Sequence, residues 1–240
     1  MYLAKTNSIP SELERVQPKY SITVRQQPIA ARACGFGERD RRVIDPPPIL
    51  QLLVEDPKAT PEEISARLRQ PYLVVHCTLW DPEKDEDASA MPGSTDKRQQ
   101  RRLMGTLVSS PFVGKDEFNV EGCFFTFPDL SVRTPGKYSL KFSLVVLDLT
   151  KTNERGHKAP IKATVKSEPF DVFNAKDFGG MRASTELTKR LKHQGCLISV
   201  KKGNAKSNNA RDEDDEDDEE DDDDQDDMTK LPAAKRNKRR

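Results

Sequence analysis

YLVVHCTLW (residues 72–80) and KYSLKFSLVVLDL (residues 137–149) decide the fold class. In the first, Leu73, Val75, Cys77 and Leu79 fall on one side of an extended chain, and Tyr72, Val74, His76, Thr78 and Trp80 on the other. In the second, Tyr138, Leu140, Phe142 and Leu144 repeat the pattern. Side chains alternate across a strand with period two, so each stretch reads as a strand with one clean apolar face. Tyr20, Ile22 and Val24 alternate in the same way with Ser21, Thr23 and Arg25. Shorter strands are expected at 49–55, 104–109, 120–127, 162–165, 170–173 and 196–201. Turn signals such as Pro46-Pro47-Pro48, Pro92-Gly93 and Pro135-Gly136 separate most of them. So many short strands predict a mostly β protein built as a sandwich or barrel.

Two short helices fit between the strands. Thr60-Pro61-Glu62-Glu63 has the form of a capping box with proline at the first helical position, and Ile64 and Leu68 then share a face. That helix should end near Gln70, before Pro71. The second, over 184–194, pairs Leu187 with Leu191, gathers Lys189, Arg190 and Lys192 toward its C-terminal end and meets Gly195 as its C′ residue.

Only 34% of the 240 residues are apolar and 33% are charged, too polar for a chain folded throughout. The deficit lies at the C-terminus. Residues 1–210 hold 33 Lys+Arg against 25 Asp+Glu, a net +8, whereas the block that opens at Asp212 and closes at Asp227 holds 15 acids in 16 residues. Such a block repels itself and buries no apolar surface, so a disordered tail is expected over 205–240. Its last six residues, with Lys235, Arg236, Lys238, Arg239 and Arg240, have the form of a nuclear import signal. The stretch DPEKDEDASAMPGSTDKRQQRR (81–102) has no apolar period and reads as a long mobile loop, and residues 1–18 as a flexible arm. No apolar run approaches the roughly 18–20 residues of a membrane span, and MYLAKTNSIPSELERVQP lacks a hydrophobic signal core, so no membrane partner is expected.

The residues give little to an enzyme. The common nucleotide, hydrolase and zinc-protease motifs are absent from the sequence, and Cys34-Gly35-Phe36-Gly37 has too few glycines for a phosphate loop and reads as a tight turn. His76, His157 and His193 fall in unrelated contexts. Cys34, Cys77, Cys123 and Cys196 are 43, 46 and 73 residues apart, so no C-x-x-C pair starts a metal site, and reduced, mostly buried thiols are expected. No catalytic residue, metal or cofactor is expected.

The basic residues say more. Arg32, Arg39, Arg41 and Arg42 crowd into ARACGFGERDRR, on a glycine-containing loop between two strands. Arginine forks suit phosphates and guanine edges alike, so the loop reads either as a DNA contact or as a solvated surface neutralised by Glu38 and Asp40. Lys97, Arg98, Arg101 and Arg102 form a second cluster, and Lys189, Arg190, Lys192, Lys201, Lys202 and Lys206 a third; either could extend a phosphate track.

Three stretches carry a resemblance: YSITVRQQPIAARACGFGERDRRVIDPPPILQL (20–52), EGCFFTFPDLSVRTPGKYSLKFSL (121–144) and PFDVFNAKDFGGMRASTELTKRLKHQGCLISVKKGN (169–204). They resemble the velvet domain of fungal developmental regulators, over about 19–204. Within that family the chain looks most like the VosA type of spore-development and viability regulator. The resemblance implies an immunoglobulin-like β-sandwich related to the Rel and NF-κB DNA-binding domain. It also implies promoter DNA as a partner, a heterodimer with a VelB-like velvet protein or a homodimer, and a nuclear protein with a cytoplasmic pool; the basic hexapeptide adds a nuclear import receptor. The family's DNA-contact loop falls on Arg39, Arg41 and Arg42, with Arg32 just before it, and Val43 stands where many relatives have proline. The competing reading is an adaptor that does not read DNA, dimerises with a velvet partner, and recruits histones or coregulators through the acidic block.

Overall fold

The computed structural model describes residues 18–36, 41–91, 100–147 and 159–202. Arg39, the arm over 1–17, the acidic block and the basic residues of 235–240 lie outside them. The elements follow in the order β1 (Lys19–Gln26), β2 (Ala30–Arg32), β3 (Ile49–Glu55), α1 (Pro61–Leu68), β4 (Leu73–Asp81), β5 (Glu86–Asp87), β6 (Leu103–Met104), β7 (Val108–Ser109), β8 (Phe112–Lys115), β9 (Glu121–Thr126), β10 (Ser131–Val132), β11 (Gly136–Val146), β12 (Ile161–Lys166), β13 (Phe170–Phe173) and α2 (Glu186–His193).

One sheet has the order β1-β3-β9-β8. The other large sheet runs β2-β13-β11-β4-β5, with β12 also on β11 and β7 on β4, and β10 and β6 form a two-stranded sheet of their own. Neither large sheet closes into a barrel. The alternation in β4 and β11 does what period two requires: Leu79, Cys77 and Val75 stand opposite Leu140, Phe142 and Leu144 in antiparallel register. Their shared face packs against Ile22, Leu50, Leu52, Cys123 and Phe125 of the first sheet, forming a single large core.

The first sheet is covered on its other face as well. Ile49 and Phe124 point away from the main core into a second cluster with Leu187, Leu191, Cys196 and Ile198, so α2 lies over that sheet. Burial on both faces explains why GCFF in β9 is apolar without alternating, since a strand covered on two sides needs no polar face. Both helices start as their sequences specify. Thr60 and Glu63 form the reciprocal capping box, and the Thr185 hydroxyl accepts from the Thr188 N–H at 3.2 Å.

Three expectations change. The strand expected over 196–201 does not form. Cys196 and Ile198 are buried and Leu197 is 86% exposed, yet no neighbouring strand pairs with them. Their N–H groups instead bond Leu191 O and Cys196 O, folding the segment under α2. The strand expected over 104–109 is split into β6 and β7 by Gly105, whose φ of +108 no strand accommodates. The loop expected over 81–102 is ordered at both ends: β5 pairs with Trp80 and Asp81, and Ala90 bridges Arg101.

Asp116 ties the β8–β9 turn to the first sheet. Its Oδ1 accepts from the N–H groups of Phe118 (3.0 Å) and Val120 (2.9 Å), and Arg25 Nη2 reaches Oδ2 at 3.3 Å. Burial disfavours the charge, but the N–H bonds and Arg25 outweigh it and hold the carboxyl below the usual carboxylate range. A carboxylate depressed in the folded state adds stability above its unfolded pKa, about 3.9, and loses it as pH falls through the folded value. Asp116→Asn should therefore cost about 1–2 kcal/mol at pH 7, the scale of hydrogen bonds to a charged group. In urea titrations the gap from wild type should close as pH drops below about 4. A gap that stays constant with pH would mean the charge contributes nothing.

Candidate nucleic-acid interface

Beyond β2 the chain does not leave the domain as a free loop. Ala33 N–H donates to Phe173 O (2.8 Å), Cys34 N–H to Val132 O (3.0 Å) and Gly35 N–H to Arg133 O (3.0 Å). Gly35 turns there at φ +59, a conformation that favours glycine. On its other side β10 pairs with β6, and Arg133 N–H donates to Arg102 O at 3.0 Å. Residues 32–36, 131–133 and 101–104 thus lie side by side as a ledge, although they are far apart in sequence. Each contributes arginine: Arg32 from the first, Arg133 from the second, Arg101 and Arg102 from the third.

The chain re-enters at Arg41, which is anchored inward. Its Nε donates to Ser131 Oγ (2.9 Å) and its Nη2 to Asp129 O (2.6 Å), with the Asp129 carboxylate 3.6 Å away. That carboxylate is itself held by the N–H (2.9 and 3.1 Å) and hydroxyl (3.0 Å) of Thr106. Ile44 is buried and donates its N–H to Leu130 O at 2.7 Å, while Asp45 exchanges backbone bonds with Ala30. Both flanks of residues 37–40 are therefore fixed to the sheet.

Arg42 is exposed. It lies near Lys201, whose pKa is lowered first by burial and then by the Arg42 charge, against the opposing pull of Asp45. Lys201 is set there by paired bonds with Ser184, N–H to Oγ at 2.8 Å and O from N–H at 3.0 Å. The third basic cluster of the sequence thus meets the first at Lys201.

The candidate arginines have unlike placements. Arg32 sits half-buried in β2 with its Nε inside the protein. Arg41 is an anchor and Arg42 faces solvent. Arg102 turns inward, donating from Nη1 to Ala88 O at 2.7 Å with its guanidinium 5.5 Å from the Tyr138 ring centre; Arg101 is exposed. Lys97 and Arg98 lie outside the described residues. Lys189 and Arg190 belong elsewhere: with Glu117, Phe118, Glu186 and His193 they line a cleft between α2 and the β8–β9 turn. Arg133 went unread in the sequence because it stands alone beside the Pro135-Gly136 turn; only strand pairing brings it to the other arginines.

Nothing in this arrangement resembles a nucleophile with a base. His76 is exposed on β4, His193 ends α2, and His157 is outside the described residues. The cysteines are unpaired. Burial pushes the thiols of Cys77 and Cys196 up, and that of Cys123 up to about 12. Among the described residues no group of three His, Cys, Asp or Glu side chains could hold a metal ion, and no helix is long and apolar enough to cross a membrane.

The Velvet factor family model matches residues 20–99 and 87–205, which takes in both sheets, the arginine ledge and α2. The chain belongs to the velvet family. This velvet chain is 62% identical over 188 residues to the sexual development regulator VELC of Pyricularia oryzae, covering 78% of its own length and 42% of the relative. It is 58% identical over 196 residues to velC of Gibberella moniliformis, covering 82% of its own length and 42% of that relative. To the spore development regulator vosA of Beauveria bassiana it is 52% identical over 202 residues, covering 84% of itself and 72% of the relative. It therefore spans about two fifths of the length of the two VelC-type regulators.

Proposed function

We propose that this velvet chain is a sequence-specific DNA-binding regulator of fungal spore development and morphogenesis, acting as a dimer with another velvet protein. One observation carries the DNA-binding part: backbone pairing sets Arg32, Arg101, Arg102 and Arg133 on adjoining segments, and Arg41 and Arg42 re-enter beside them, with Lys201 near Arg42. Two nearby acids are already engaged: Asp129 by Arg41 and Thr106, and the buried Asp45 by the Arg182 N–H. A ledge of that charge attracts phosphate through counterion release. The developmental role follows the names of the relatives, which regulate spore and sexual development. In the same reading residues 235–240 direct nuclear import, and the acidic block recruits basic partners such as histones.

The test is a salt titration of promoter-fragment binding by the full chain, with sequencing of the bound fraction, alone and with a VelB-like partner. Arg42→Ala combined with Arg101→Ala should weaken binding to all DNA and lower the steepness of log K against log salt by about 2, close to one for each phosphate no longer neutralised. If enrichment needs the partner and survives these changes, the chain is an adaptor and its partner reads the DNA.

A further inference from the structure

The tip of the ledge carries a stacked pair that charge attraction alone does not require. Phe36 is 57% exposed, and the Arg133 guanidinium carbon lies 5.2 Å from its ring centre. Arg133 is itself pinned: Nε donates to Arg101 O and Nη1 to Gly35 O, each at 3.0 Å. Those bonds use two of the five N–H donors of a guanidinium. The others, including both on Nη2, have no partner among the described residues.

A single exposed apolar side chain is ordinary on a protein surface. Phe36 differs in lying on an arginine whose plane is already set, within a row of cations. Two carbonyls have removed much of the rotamer freedom of Arg133 before any ligand arrives, so less is lost when its remaining donors bind. A phosphate is satisfied by charge from many directions, whereas a base edge needs donors in a fixed plane. Phe36 has no charge to offer phosphate, but an aromatic ring packs well on a thymine methyl.

We infer that Phe36 and Arg133 together form a base-reading contact, with the unused donors of Arg133 directed to a guanine edge and the ring of Phe36 to a neighbouring thymine methyl. The occupant is duplex DNA, on the charge complementarity of Arg101, whose carbonyl holds Arg133, and of Arg41 and Arg42, where the chain re-enters beside Ser131. The inference rests on the DNA-binding reading above and adds to it which residues carry sequence preference and which carry general affinity.

Full-chain Phe36→Ala and Arg133→Lys are compared with wild type and with the Arg42→Ala, Arg101→Ala double variant, each first shown to melt as wild type does. Binding is measured to the site selected from the fragment pool and to a random duplex. Phe36→Ala and Arg133→Lys should each lose about tenfold on the selected site, the scale of one base contact, and less than twofold on the random duplex. The bound pool should lose its preference at one or two adjoining positions. Equal loss on both DNAs makes the pair a backbone contact and overturns the inference, as does no loss on either. If only the double variant weakens binding, base reading by this pair falls and the DNA-binding reading stands. If the double variant also binds as wild type, both fall.

Discussion

Phe142→Ala should cost about 3–5 kcal/mol, the usual range for truncating a buried aromatic. Phe142 is fully buried at the middle of β11, opposite Cys77 on one side and Val165 on the other. Its ring stands 5.2 Å from that of Phe127, tilted by 45°. The other sheet supplies Leu52, Cys123 and Phe125 to the same core, and both sheets are hydrogen-bonded through their length, so the surroundings cannot collapse far into the space left behind. Domains of this size are stable by about 5–15 kcal/mol, so the variant should lose a large part of its margin. Urea unfolding of the full chain measures this, with Phe118→Ala alongside it. Phe118 is 75% exposed, and its truncation should change stability by no more than about 0.5 kcal/mol. Similar midpoints for the two variants would show that the sheets do not share the core described.

The same alternation that makes Phe142 central is what made the fold legible. β4, β11 and β13 bury one face each, and period two shows in their residues. The alternation at Cys196, Leu197 and Ile198 misled for an instructive reason: period two reports which side chains are covered, and a coil folded under a helix can cover every second residue without any ladder. β2 and β10 were invisible because a strand of two or three residues is too short to show a period, and their pairing, including the parallel match of β2 to β13, is set by distant partners. Those two short elements build the ledge. Hence the arginine cluster around Arg41 and Arg42 could be read from sequence, while its division into an inward anchor and an outward cation could not. Arg133 was out of reach for the same reason, since its neighbours in space are Gly35 and Arg101.

Gly105→Ala should damage the arginine ledge without removing any of its cations. Gly105 has φ +108, where an L side chain is strained, and a Cβ there would stand 2.5 Å from Asp129 O and 3.1 Å from Arg41 Nη2. The closer of the two is backbone, so no side-chain rotation relieves it. Strain of this kind costs about 1–3 kcal/mol, and relief requires moving the Asp129 carbonyl that accepts from Arg41. Thr106 follows directly and holds the Asp129 carboxylate, so the shift should pass to both ends of the anchor. DNA binding by Gly105→Ala should therefore fall about as far as in Arg41→Ala, beyond what the unfolded fraction explains. The salt dependence distinguishes this from the removal of a phosphate-binding charge. Arg42→Ala should reduce the slope of log K against log salt by about 1, whereas Gly105→Ala keeps every cation and should lose affinity with a smaller change in slope. Wild-type stability and wild-type affinity in Gly105→Ala would show that the Asp129 clamp does not position the loop, leaving charge alone to account for binding.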